Sequence, residues 1–163
     1  MQRKIGWGLI AALLVIATPG FAARTLSQPE AEVKAAVEAH VKAYNKKDLT
    51  AIMAGMARIP MLVQVGNGPK DRRVGVGQTR AHYEWAFKER SVAIHVSEIM
   101  VGASGSVGWF AAYCDVKAGK GEEQRSVPAN WTGVLEKRDG KWLFILSHYS
   151  YPVTGSKARL DLR

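Results

Sequence analysis

The chain has 163 residues and carries 23 Lys or Arg against 14 Asp or Glu, a formal charge of +9. That length suits one domain with a proper core, and with Cys114 as the only cysteine no intrachain disulfide can form. The basic residues are dispersed, as in Lys46-Lys47, Arg72-Arg73 and Lys137-Arg138, and none sits in a nucleic-acid motif. The charge therefore reads as a solvated surface whose positive field favours anionic small ligands or an anionic envelope.

The chain opens with Arg3 and Lys4, an apolar run from Ile5 to Ala17, and then Thr18-Pro19-Gly20-Phe21-Ala22-Ala23. Basic, apolar and small-residue regions in that order predict a secretory signal peptide over residues 1–22, cleaved after Ala22, and a periplasmic or secreted product. The apolar run is too short for a good membrane span, so no stable membrane insertion is expected.

Ser27 followed by Glu30, with Pro29 in the first turn, is a capping-box start for a helix running to about Lys46. At 100° per residue Val33, Val37, His40, Val41 and Tyr44 share one stripe, which makes His40 an inward histidine. Asp48 reads as the cap of a second, short helix through Met56. Met61–Val65 and Arg73–Val76 flank the turn-rich Asn67-Gly68-Pro69-Lys70 and predict a short hairpin. A third helix over Gln78–Arg90 puts His82 and Trp85 on one face and Tyr83 and Phe87 on another, so both faces are expected to be covered.

Three strands are predicted over Val92–Val101, Val107–Lys117 and Glu123–Lys137, separated by turns at Gly102–Gly105 and Gly119–Gly121. Along the middle one, Gly108, Phe110, Ala112, Cys114 and Val116 form the more apolar face, while Trp109, Ala111, Tyr113 and Asp115 form the other. Burial favours the first as inward, and a homodimer interface would explain aromatics on the second. Cys114 reads as a small buried hydrophobe, and Asp115 as a rim acid pairing with Arg125 across the hairpin.

The last strand pair, Trp131 to Pro152, turns at Asp139-Gly140, a dipeptide that tolerates the positive φ values of a type I′ turn. An unbroken ladder from that turn pairs Arg138 with Lys141, Leu135 with Phe144, Gly133 with Leu146 and Trp131 with His148. One face would then carry Trp131, Leu135, Trp142, Phe144, Leu146, His148 and Ser150. Residues 154–163 are polar and basic apart from two leucines and read as a mobile tail.

The hairpin V-L-E-K-R-D-G-K-W followed by His148-x-Ser150-x-Pro152, with the upstream order of helices and strands across roughly residues 28 to 152, resembles SnoaL-like domains of the nuclear-transport-factor-like, or cystatin-like, superfamily. The resemblance implies an α+β cone over residues 27–153: a curved antiparallel sheet of about four long strands plus a short hairpin, wrapped around N-terminal helices. It also implies a pocket at the open end. Tyr44, Trp85, Trp131 and His148 are its expected lining, with His40 and Ser150 next, and it suits a small, partly apolar or aromatic ligand.

The ketosteroid isomerase relatives need a carboxylate base and an oxyanion hole of tyrosine and protonated aspartate, a set with no residue-by-residue match here. A lyase or isomerase would instead use His148 as general base beside Tyr44 or His40. A third reading is a dimeric interaction module with a filled cone. No metal or cofactor is expected, because the four histidines lack i, i+4 spacing and no phosphate loop or nucleophile elbow is present.

Overall fold

The computed structural model describes residues 24–151 except 69, 90, 91 and 119–124. The expected signal segment, the tail from 154 and Pro152 lie outside the described residues. The first helix, α1 (Gln28–Asn45), starts where the capping box places it. The Ser27 N–H and hydroxyl both donate to Glu30 Oε2, at 2.9 and 2.8 Å, and Arg24 pairs with the same carboxylate. Those bonds, the Ser27 ones first, hold the Glu30 carboxyl below the usual range. Asp48 Oδ1 accepts from Ala51 N at 2.9 Å and caps α2 (Leu49–Ala54).

Two short strands follow, β1 (Val63–Val65) and β2 (Arg72–Val74), then α3 (Gly75–Glu89). The long strands β3 (Val92–Ser104), β4 (Val107–Ala118), β5 (Arg125–Arg138) and β6 (Lys141–Ser150) complete one sheet in the order β2-β1-β6-β5-β4-β3. The sheet is mixed rather than wholly antiparallel, because β1 lies parallel to β6. The chain runs from α2 into β1, which lies along the edge of β6 in the same direction. Backbone bonds from Phe144 N to Gly55 O and from Ala57 N to Phe144 O begin that edge contact just before β1 takes it over.

The inner sheet face carries Phe110, Ala112, Cys114 and Val116 from β4 and Ala129, Trp131 and Leu135 from β5, all buried. Alternation in β4 thus resolves as its apolar count favours. Val33, Val37 and His40 of α1 lie buried against that face, and at Gly108 the approach is close enough that a Cβ would collide with the Val33 side chain. Burial also pushes the Cys114 thiol up to about 11, which leaves it protonated and inert. Asp115 faces His95 and Pro128 in the ladder rather than Arg125, which lies opposite Ala118.

The terminal hairpin contains the main departure from the sequence reading. Asp139 and Gly140 do adopt φ values of 49° and 77°, and Leu135 pairs with Phe144. The register then shifts, so that Val134 pairs with Leu146, Thr132 with His148 and Trp131 with Tyr149. Ile145 is the extra residue of a β-bulge, and one extra residue reverses the facing of everything beyond it. Trp142 and Phe144 point inward before the bulge, and Ser147 and Tyr149 after it.

Candidate functional site

A partly enclosed cavity of about 500 Å³ lies between α3 and the inner sheet face, at the end where β3 and β5 begin and β4 and β6 finish. Its floor is a cross-strand row of Ile94, Val116 and Val127, joined by Val92. These β-branched side chains alternate inward along their strands and cover the sheet without filling the space above it. Tyr44 enters from the last turn of α1, and His82, Tyr83 and Trp85 come from α3. Tyr149 and Ser147 arrive from β6 because of the bulge, and Tyr151 continues the same parity.

The remaining wall is polar. Gln64, buried at 5 % exposure, stands on β1 opposite Ser147, and its Nε2 donates to the Tyr83 hydroxyl at 2.8 Å. The Tyr83 oxygen also lies 3.4 Å from His40 Nε2. His40 is buried and desolvation lowers its pKa to about 4, which keeps it neutral. Burial raises the Tyr83 hydroxyl, and raises Tyr149 well above the usual tyrosine value with further contributions from nearby Tyr83, Cys114, Tyr151 and Tyr44. Arg73 and Asp71, both in the wall, form an ion pair with each other. The tyrosines and this closed pair make the site hydroxyl-rich and nearly charge-balanced.

Of the six residues expected to line the pocket, Tyr44 and Trp85 do so. Trp131 is 0 % exposed and belongs to the core, stacked on Phe144 and Tyr149 and edge-on to Phe110 at 4.6 Å. His40 lies behind the wall and reaches the site only through Tyr83. His148 and Ser150 are turned to the outer face by the bulge, His148 lying between Thr132 and Val65 in the sheet. His148 therefore cannot act as a base on anything held in this cavity. The two faces of α3 also differ from expectation: Tyr83 is buried, but Trp85 is 45 % exposed at the cavity rim.

Among the wall residues that sequence reasoning missed are Gln64, Tyr83, Ser147 and Tyr149. A signal for the last two was present. Aromatics fall on even positions at Trp142 and Phe144 and on odd ones at Tyr149 and Tyr151, which no unbroken strand can bury together. Among the described residues no group of three His, Cys, Asp or Glu side chains could hold a metal ion. Nor is any described helix long and apolar enough to cross a membrane.

The family model described as a SnoaL-like domain matches residues 33–154. Among solved structures, the chain is similar to an NTF2-like protein of unknown function from Pseudomonas putida KT2440, at 22 % identity and a TM-score of 0.69, covering 83 % of this chain and 96 % of that one. It is also similar to a provisionally assigned dehydratase of the NTF2-like family from Streptomyces avermitilis, at 15 % identity and a TM-score of 0.69 over 77 % of this chain and 96 % of that one. A third is a cystatin-like protein of unknown function from Nostoc punctiforme, at 14 % identity and a TM-score of 0.63 over 76 % and 91 % of the two chains. No curated protein matches.

Proposed function

The chain belongs to the SnoaL-like domain family, and from that premise we propose that it is an exported binding protein for a small, partly apolar or aromatic molecule held in the cavity between α3 and the sheet. The observation that carries this reading is the cavity itself. About 500 Å³ is left unfilled beside a densely packed core, with apolar residues below and tyrosines, a tryptophan and a buried glutamine around it. That division, area from apolar walls and orientation from a few polar groups, is how small-molecule sites are built. Catalysis by His148 has no support in this geometry, and the filled-cone reading conflicts with the open volume. Native mass spectrometry of protein purified from its own source tests the proposal. A co-purifying small molecule that is lost from a Trp85→Ala variant is expected; no adduct, together with no thermal stabilisation by a panel of aromatic compounds, would refute it. The same intact-mass measurement reports export, since a product retaining Met1 to Phe21 would mean an uncleaved segment.

We infer separately that two copies associate through the outer sheet face. Trp109, Tyr113, Met100 and Leu146 are all more than a third exposed there, with the Trp109 ring lying over Gly102 of the neighbouring strand. Large aromatics rarely share a naked surface. Sedimentation should give a dimer at micromolar concentration and a monomer for Trp109→Glu; a wild-type monomer would refute the inference.

A further inference from the structure

A series of parallel rings runs along the inner sheet face and stops at the cavity. Phe144 and Tyr149 of β6 both stack on Trp131 of β5, with centroids 5.8 and 5.1 Å away and planes within 8° and 5° of its own. Trp131 is 0 % exposed, so the tyrosine face that rests on it is sealed. Tyr149 nevertheless lines the cavity and is only half-buried. Among the described residues Trp131 is the one ring in contact with it. The surface that Tyr149 gives the cavity therefore comes from the side away from Trp131.

Beyond that ring the sheet is low. Towards the open end the inward residues of β3, β4 and β5 are Val92, Ile94, Val116 and Val127, with Val116 and Val127 opposite one another in the ladder and Ile94 opposite Val116. Branched aliphatic side chains of this length cover the backbone but do not rise to the height of a ring, so the place where the series would take its next member is open volume. On α3, which covers this volume, Ala86 is equally short. The ion pair of the wall, Arg73 with Asp71, is neutralised internally and gives no reason to prefer a charged ligand. What the site offers is an aromatic face, and aromatic faces favour an offset, parallel second ring beyond what buried area alone supplies.

We propose that the cavity takes a flat aromatic compound whose ring stacks on the open face of Tyr149 and continues the series Phe144, Trp131, Tyr149. This rests on the cavity being a ligand site, and the test keeps the two claims apart. The full-length protein is titrated calorimetrically with 2-naphthalenemethanol and with its saturated counterpart, trans-decahydro-2-naphthalenemethanol. Both are primary alcohols on the same bicyclic skeleton, and the saturated one is no less apolar, so burial alone gives the aromatic probe no advantage. Stacking makes 2-naphthalenemethanol bind about two- to tenfold tighter. Tyr149→Leu removes the face and abolishes that preference, while Tyr149→Phe, which restores a ring without the hydroxyl, recovers it.

Should Tyr149→Leu fail to fold, the isotopically labelled ring of Tyr149 in the unmodified protein gives the second readout. Its ring-proton resonances move upfield with 2-naphthalenemethanol, through the ring current of a stacked neighbour, and not with the saturated probe. Equal affinity for the two probes, or tighter binding of the saturated one, overturns the stacking assignment while leaving a ligand site in place. A preference that survives in Tyr149→Leu, that is lost in Tyr149→Phe, or that comes without the upfield shift overturns the assignment to the Tyr149 face. Binding of neither probe refutes the ligand site, and the stacking assignment with it.

Discussion

Replacing Trp131 and Trp85 by alanine, one at a time, separates core from cavity. Trp131 is fully buried, with Phe144 and Tyr149 stacked at 5.8 and 5.1 Å, Phe110 edge-on at 4.6 Å and His40 at 5.2 Å. A tryptophan buries up to roughly 250 Å², which at about 25 cal/mol per Å² gives an upper bound near 6 kcal/mol. Alanine retains part of that, and rings on three sides hinder collapse of the hole, so Trp131→Ala should cost about 3 to 5 kcal/mol. Against a usual domain stability of about 5 to 15 kcal/mol, that is a large share. Trp85 is 45 % exposed beside a space that already exists, so its removal opens no sealed void. Trp85→Ala should cost on the order of 1 kcal/mol or less and should weaken aromatic probes instead. Urea unfolding followed by far-ultraviolet circular dichroism, paired with a 2-naphthol titration of each variant, reads both quantities. A Trp131→Ala protein within about 1 kcal/mol of wild type, or a Trp85→Ala protein that is the less stable of the two, would refute the division between packed core and open site.

Three further outcomes follow from other parts of the molecule. His40 is held neutral with its pKa lowered from 6.5 to about 4, so between those values the unfolded chain binds the extra proton. Stability is full above pH 6.5, falls as pH drops towards 4, and loses up to about 3 kcal/mol over that window; denaturant titrations at pH 7.5, 5.5 and 4 should show this fall in wild type and a smaller one in His40→Phe. Glu32 accepts from Lys137 Nζ at 2.6 Å and Trp142 Nε1 at 2.9 Å, bonds that lower its carboxyl to about 2. Its stabilising effect is present above pH 4.5 and lost as pH falls towards 2, so Glu32→Gln should flatten the acid limb of the stability profile in that range; an unchanged limb would count against the contact. A Cβ on Gly133 would sit 2.6 Å from Phe110 Cε1 and 2.7 Å from the Leu146 carbonyl oxygen. Gly133→Ala should therefore destabilise by about 1 to 3 kcal/mol through overpacking, measured by thermal unfolding, and a neutral result would mean that the bulge beside it can relax.

The sequence alone determined the elements whose signals are local. Ser27 with Glu30 starts α1, Asp48 caps α2, and Asp139-Gly140 closes the last hairpin, because each depends on hydrogen bonds or φ values within a few residues. Alternation likewise selected the inner face of β4, since only one of its faces is apolar enough to bury. Helical periodicity gave Tyr44 and Trp85 only a helix face each, and their place at a cavity came from the family resemblance. What tertiary structure decided was the phase of β6. An unbroken ladder would send His148 and Ser150 inward, but the Gly55–Ala57 segment binds Phe144 and β1 takes over the same edge two residues later. The extra residue, Ile145, absorbs that change of neighbour and turns Ser147 and Tyr149 into the site. Gln64 was illegible for a related reason. A three-residue strand carries too short a pattern to give its facing, and its amide bonds to Tyr83, which only folding brings beside it.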